Sequence, residues 1–413
     1  MKVLIDLQAA QTRQSKYRGI GKYSLNLIQA VLTQNQCQQH NHELLLFYNS
    51  KAGHYKDNRE YLQQKLGAYN EIIWTPAKTL KAGKEEKNWN TRLIEHQREQ
   101  LIQSYQPDII YINSLFEGID NNATTSIKHF YRQTPTVATV YDLIPYLYPA
   151  QYLNQANQST VYLQKIKHLK RADHLFAISE TTRQEVVNHV NYPEHKITNI
   201  SSDADNRFKK IKLTQGEINC LKKQYNIKHD ILMFVGNLSI NDPRKNIKTL
   251  IKAYKKLPQK ISEKYQLLLV GPCQEEEKAQ LLNYCQEQQI EPGKIHITNY
   301  VNNDDLLKLY NICQLFIFPS LHEGFGLPVL EAMRCHTPVI TANTDSMKEV
   351  FNLTDAMFDP KSEESIKNKI IWALSDKNAQ QKIITHCQKQ AKQFSWQQSA
   401  ETVLYKLEQI IRS

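Results

Sequence analysis

Glycine is scarce in this sequence: 12 occur among 413 residues, about 3% where roughly 7% is usual. The places where glycine was kept therefore point to turns or to close approaches of backbone. Cysteine is sparse and unpatterned. The seven (Cys37, Cys220, Cys273, Cys285, Cys313, Cys335 and Cys387) are odd in number, and no two have the Cys-x-x-Cys spacing of a zinc or redox pair. Reduced structural thiols are expected. No apolar run approaches the roughly 18 residues of a membrane span. With 41% apolar and 23% charged residues, the composition fits neither disorder nor a fibre. The opening Met-Lys-Val-Leu-Ile-Asp sets an acid at Asp6 where a signal peptide needs an apolar core, so a cytoplasmic chain is expected.

What is present is enough chain for two domains. The formal charge of +11 suits nucleic acid, an anionic membrane face or anionic small molecules. Residues 1–205 hold 23 basic and 19 acidic side chains and residues 206–413 hold 29 and 22, so no basic tail dominates. The basic stretch Lys165–Arg171 and the Lys-rich stretch 78–98 read as solvated helix faces. Aromatic residues do not interleave with a basic stripe, so no nucleic-acid partner is expected.

Short β-rich runs recur at Lys2–Asp6, Glu43–Tyr48, Glu71–Trp74, Asp108–Ile112, Thr136–Val140, His174–Ile178 and Ile197–Ile200, mostly separated by amphipathic segments of helical length. The alternation predicts a parallel sheet covered by helices. It restarts at Ile231–Val235, Gln266–Val270, Lys294–Ile297, Gln314–Phe318 and Pro338–Thr341, giving a second α/β layer. Helices are predicted at 362–376, 378–394 and 396–411, with no strand left to pair. The polar segment Ser201–Gln215 is the expected boundary. Ligands of such layers sit at the carboxyl ends of strands, so site residues belong in strand-to-helix loops, facing a cleft between the domains.

Two Gly-x-Gly pairs fall in such loops. Arg18-Gly-Ile-Gly-Lys-Tyr23 follows the first strand and opens a helix predicted at 20–34, where Gly19 and Gly21 let backbone N–H groups approach a phosphate or sugar. It lacks the third glycine of a dinucleotide fingerprint. The second pair lies in Pro319-Ser-Leu-His-Glu-Gly-Phe-Gly-Leu-Pro-Val-Leu-Glu-Ala-Met333, after a strand. Pro328 suits the first turn of a helix, so Glu323, Gly324, Phe325 and Gly326 form a loop whose donors meet an anion at the positive helix end. Glu323 and Glu331 are spaced to grip two parts of an extended polyol. After the strand Ile231–Val235 and Gly236, Arg244 and Lys245 stand at a helix start, where cations oppose the helix dipole. That misfit points to a bound anion.

His322-Glu-Gly-Phe-Gly-Leu-Pro-Val-Leu-Glu-Ala-Met333 resembles the donor-site signature of retaining glycosyltransferases of family 4, which have the GT-B fold. The likeness extends in order along most of the chain, through Arg18–Tyr23, Tyr141-Asp-Leu-Ile-Pro145, Ala177-Ile-Ser-Glu180, Val235-Gly236, Pro243-Arg-Lys-Asn246, Tyr310, Pro319-Ser320, Phe358-Asp-Pro360 and Phe394-Ser-Trp396.

The resemblance implies an α/β architecture of two Rossmann-like domains facing a cleft: an acceptor-side domain over 1–205, a donor domain over 206–395, and a last helix, 396–413, packed back on the first, with a hinge and closure on the donor. It implies that Glu323 binds hydroxyls of a donor sugar, that Gly324, Phe325, Gly326 and Leu327 present backbone groups to sugar and phosphate, and that Glu331 accepts from a ribose. Arg244 and Lys245, beside Gly236, would hold a diphosphate; Gly19 and Gly21 would close over the donor; Asp142 would stand near the acceptor. No metal or other cofactor is expected.

The branch it most resembles makes bacterial O-antigen and capsule. The expected partners are a nucleotide-sugar donor, with GDP-mannose favoured over a UDP-sugar, a glycan or lipid-linked acceptor, and peripheral contact with an anionic inner leaflet. Three departures stand out: Tyr141 where the family often has histidine, a loop Gly236–Arg244 about three residues longer than usual, and His336 in place of a frequent glycine. Tyr141 keeps a second reading open, a nucleotide-sugar-binding module that has lost transfer.

Overall fold

Runs such as Val3-Leu-Ile5 and Leu44-Leu-Leu-Phe47 are apolar on both sides of the backbone, as strands buried on both faces must be, and all seven residues are buried. The computed structural model describes every residue except 13–18, 38–41, 54, 77–86, 119–122 and 413, so Arg18 of the first Gly-x-Gly motif and much of the Lys-rich stretch lie outside the described residues. The chain divides into two units, Met1–Ser202 with Ser395–Ser413, and Asp203–Phe394.

Unit 1 contains β1 (Lys2–Asp6), β2 (Glu43–Asn49), β3 (Asn70–Trp74), β4 (Ile109–Ile112), β5 (Thr136–Val140), β6 (His174–Ala177) and β7 (Ile197–Asn199). All pairs are parallel, in the order β3-β2-β1-β4-β5-β6-β7. Its longer helices include α1 (Gly19–Cys37), α2 (Lys87–Ser104) and α3 (Ala156–Leu169). Asp6, at the carboxyl end of β1, pairs with Arg98 of α2, and both are 1% exposed. Asp6 also accepts from the Gln8 backbone N–H at 2.9 Å. Arg98, Lys165 and His168 are all buried, which corrects the reading of stretches 78–98 and 165–171 as solvated faces at these three positions, while Arg92, Lys167, Lys170 and Arg171 are exposed. Each of the three buried groups has a polar partner from a distant segment that a linear pattern does not display: Asp6, Thr125 and the Ile127 N–H, respectively.

Unit 2 repeats the plan with β8 (Asp230–Val235), β9 (Tyr265–Val270), β10 (Ile295–Ile297), β11 (Leu315–Phe318), β12 (Val339–Ala342) and β13 (Met357–Phe358), parallel and ordered β10-β9-β8-β11-β12-β13. β13 has two residues, too short for a periodicity signal, and was absent from the sequence reading. The helices that matter for the site are α4 (Ile247–Lys255) and α5 (Leu327–Arg334).

The C-terminal helix α6 (Trp396–Arg412) belongs to unit 1. It buries Trp396, Ala400, Val403, Leu404 and Leu407, a helical stripe, and packs on α1. Trp396 meets Tyr23 edge-on at 4.9 Å, and His42 pairs with Glu408 at 2.8 Å. No helix among the described residues is long and apolar enough to cross a membrane.

Removing one partner of a buried ion pair leaves the other charge uncompensated, at a cost of about 3–5 kcal/mol. Arg98→Met is therefore expected to lower the stability of unit 1 by that amount in urea denaturation. A loss under about 1 kcal/mol contradicts the buried pairing.

Candidate functional site

In unit 2 the strand order reverses between β8 and β11. Loops leaving the carboxyl ends of two such strands turn to opposite sides and open a crevice. The unit-2 residues expected to touch the donor, Gly236, Arg244, Lys245, Glu323 to Leu327 and Glu331, all follow one of these two strands, in the loops or in α5.

The β8 loop starts at Gly236, whose N–H donates to the Val270 carbonyl at 2.9 Å. A Cβ on Gly271, at the end of β9, would meet the Gly236 oxygen at 1.8 Å, so only glycine permits this approach. A single turn, Pro243–Lys245, follows, with Asp242 accepting from the Arg244 N–H at 3.1 Å. Asn246 then adopts φ +58° and starts α4. Its side-chain amide donates to the carbonyls of Pro319 (3.0 Å) and Pro360 (2.7 Å), fastening three segments together.

Arg244 and Lys245 converge on Glu323. Arg244 Nη1 donates to Glu323 Oε2 at 2.7 Å and to the His322 carbonyl at 3.0 Å, and Lys245 Nζ donates to Glu323 Oε1 at 2.6 Å. Arg244 Nη2 also reaches Asp242 Oδ2 at 3.3 Å. Lys245 lies 5.9 Å from the centre of the Phe318 ring. All four charged side chains are at most 15% exposed. Burial pushes the Glu323 carboxyl upward, but Arg244 and Lys245 outweigh it and hold the group down at about 2. Burial pushes the Lys245 ammonium down, with Glu323 opposing. The two cations that the sequence assigned to an external anion thus have internal carboxylate partners.

The β11 loop ends at Gly326, the N-cap of α5, with φ +112°. A Cβ there would lie 2.3 Å from Met347 Cε. No side chain caps this helix end, Leu327 is its first residue and Pro328 its second. The positive end of α5 therefore opens beside Glu323 and Gly324 in the same loop. Phe325 is buried edge-on against Phe394 at 5.6 Å. Glu331, one turn into α5 and 7% exposed, accepts from the Tyr310 hydroxyl at 3.0 Å. His336, just past α5, has φ +58°, a conformation that glycine takes without strain.

Unit 1 gathers the remaining expected residues. Gly19 and Gly21 form the first turn of α1, and Tyr23 on the next turn meets Tyr141 edge-on at 5.2 Å. Asp142 accepts from the Ile144 N–H at 2.9 Å. The Tyr141 hydroxyl donates to Asn113 Oδ1 at 2.7 Å and pairs with Ser24 Oγ at 2.7 Å. Tyr141 is thereby engaged inside unit 1. Sequence reasoning passed over Asp242 and Gly271 and gave Asn246 and Tyr310 no role. A glycine kept at a strand end in a glycine-poor chain was the available signal for Gly271.

Two such parallel layers, each with its loops at the strand reversal, define the GT-B class of fold. Residues 19–202 match the family described as Glycosyltransferase Family 4, and residues 219–390 match Glycosyl transferases group 1. The chain belongs to these family 4 glycosyltransferases. It is 31% identical over 413 residues, all of this chain, to the serotype-specific mannosyltransferase WbdA of Escherichia coli, covering 48% of that protein. It therefore spans about half the length of this relative. It is also 31% identical over 241 residues to the O-antigen chain mannosyltransferase B of Escherichia coli, covering 57% of this chain and 61% of that one. Among solved structures, Anabaena HepE in complex with UDP and glucose superposes with a TM-score of 0.70 at 18% identity, covering 99% of this chain and 100% of that one.

Two outcomes test the site's architecture. Alanine at Gly326 forces a side chain into a strained backbone region, so Gly326→Ala should destabilise unit 2 by about 1–3 kcal/mol. Measured against Met347→Ala alone, which removes the steric contact but opens a cavity of its own because Met347 is fully buried, the loss from Gly326→Ala should be smaller but not abolished in denaturant titrations. Glu323 titrates at about 2 when folded rather than near 4.5. Its contribution to stability is therefore complete above about pH 4.5 and is lost as the pH falls through about 2. Glu323→Gln should flatten the pH dependence of unit 2 unfolding across that window, and an unchanged slope contradicts the ion pairing.

Proposed function

We propose that this chain transfers a hexose from a nucleotide-sugar donor, GDP-mannose before a UDP-sugar, to a glycan or lipid-linked acceptor in bacterial surface-polysaccharide synthesis, with retention of configuration. The mannosyltransferase relatives support the sugar. The observation that carries the reading is the Glu323 carboxylate held between Arg244 and Lys245 beside the uncapped start of α5.

The donor's diphosphate takes the place of Glu323 on the two cations, and sugar hydroxyls take the place of the cations on Glu323. Every charge stays partnered through the exchange, as a partly buried site demands. Arg244, Lys245 and the α5 N–H groups then face the oxygen that gains charge as the glycosidic bond breaks, and stabilise it in place of a metal. Gly236 lets the β8 loop pass close to the nucleotide, and Glu331, oriented by Tyr310, accepts from the ribose. With Glu323 engaged by sugar hydroxyls, the step is a same-face displacement in which the departing phosphate oxygen takes the acceptor's proton, with Glu323 binding rather than attacking. In unit 1, the family resemblance assigns Gly19 and Gly21 a role toward a donor and Asp142 a role toward an acceptor. A lipid-linked acceptor brings the enzyme to the cytoplasmic face of the inner membrane.

The test is thermal shift and product analysis with GDP-, UDP-, ADP- and dTDP-sugars, with and without EDTA, on the native chain and on Glu323→Ala with Lys245→Ala. A donor at 100 times its dissociation constant adds about 2.7 kcal/mol. One nucleotide sugar should stabilise the native chain with EDTA present, fail on the double variant and give an α-linked product when α-linked at the donor. Binding without turnover on any acceptor favours the module that has lost transfer, and no binding at all overturns the donor site.

A further inference from the structure

The basic stretch Lys165–Arg171 has no part in the site described above. In α3, residues 164, 167 and 168 fall on one helical face, and Arg171 follows just past the helix end. Together with Arg92 of α2 and His129 they line a pocket of about 470 Å³. It lies toward the amino ends of β5 and β6, which start at Thr136 and His174, away from the strand ends that carry Asp142.

The loop that carries His129 is hydrogen-bonded at several points. Glu99 accepts from the backbone N–H groups of His129 (3.1 Å), Phe130 (2.7 Å) and Tyr131 (3.0 Å) and from Ser126 Oγ (2.6 Å), which fixes the loop. His129 Nδ1 pairs with Glu95 Oε2 at 2.8 Å, and His168 Nδ1 accepts from the Ile127 N–H at 3.1 Å. The ligand atoms of Glu95, His129 and His168 all lie within 4.8 Å of one another, a spacing that could hold a metal ion. The proton positions argue otherwise. With Nδ1 of His168 accepting, the ring's proton sits on Nε2, and a metal there would require an imidazolate. The Lys165 ammonium, 3.9 Å from Glu95 Oε1, would also repel a cation.

What the two rings leave for the pocket suits an anion. The His168 ring, 1% exposed, keeps its N–H at Nε2. Arg92, Lys167 and Arg171 line the same pocket as the rings, and among the described residues none of the three is paired with a carboxylate. Cations grouped around a buried N–H donor attract a compact, highly charged acceptor, and guanidinium groups match phosphate oxygens two at a time.

We propose that this pocket is a phosphate-binding site, taking the phosphate group of either a free phosphate ester or an anionic lipid headgroup, with Arg92, Lys167 and Arg171 as its cations and His168 Nε2 as its buried donor. The proposal does not depend on the transfer reaction, because the pocket shares no residue with the donor loops.

The experiment titrates the full chain with inorganic phosphate and with glycerol 3-phosphate by calorimetry, and separately with vesicles of phosphatidylglycerol or of phosphatidylcholine by co-sedimentation. Each is repeated on Lys167→Glu with Arg171→Glu, on Arg92→Ala, and on a control with the same charge change in unit 2, Lys222→Glu with Lys223→Glu. Binding of the soluble phosphates that falls tenfold or more in both pocket variants and not in the control supports the site with a free ester as its source. Binding confined to phosphatidylglycerol vesicles, with the same pattern of loss, supports it with a lipid headgroup as its source. Absence of binding in both arms, or equal losses in control and pocket variants, overturns it.

Discussion

A carboxylate held between two cations in a crevice is the constraint around which unit 2 is arranged. Glu323, Arg244 and Lys245 come from two loops separated by about eighty residues of chain, and each is largely withdrawn from water. None could be buried alone, because the penalty for an unpaired buried charge runs to several kcal/mol. The remaining details of the region serve to hold the two loops in register. Asn246 ties the β8 loop to Pro319 and Pro360, Gly271 lets β9 pass against Gly236, and Gly326 turns the chain into α5 where a larger residue would strike Met347.

The same device recurs in unit 1 with a different outcome. Asp6 and Arg98 are fully buried at the carboxyl end of β1, and the Asp6 carboxylate is further satisfied by Gln8. That pair is sealed inside the fold and serves structure. The unit 2 cluster keeps partial exposure beside an uncapped helix end, which leaves its partners exchangeable for a ligand's charges. Burial and position relative to the strand reversal separate a sealed ion pair from one open to exchange, although both are Asp or Glu with Arg in the sequence.

Legibility followed the length over which a pattern acts. Twelve of the thirteen strands could be read from apolar runs, since burial on both faces imposes a continuous local signal; the two-residue β13 could not. The Glu-Gly-Phe-Gly-Leu-Pro segment was legible because a left-handed N-cap and a proline in the first helical turn are local requirements. The partners of Arg98, Lys165 and His168 were not, and the basic stretches containing them were read as solvated. A cation's burial depends on acceptors brought from elsewhere by the sheet. Tyr141 is similar: its hydroxyl bridges Asn113 and Ser24, neither of which is near it in the chain.

The sequence by itself determined the parallel α/β character of both halves, the loops that carry the candidate chemistry and the family to which the chain belongs, because periodicity, glycine placement and motif spacing are encoded along the backbone. Only the tertiary structure decided which charges face which. It gave Glu323 to Arg244 and Lys245, Asp6 to Arg98 and Glu331 to Tyr310. It grouped three cations and two histidines around a pocket in unit 1. These are pairings between distant segments, and their energies depend on distance and on exclusion of water, quantities that exist only once the chain has folded.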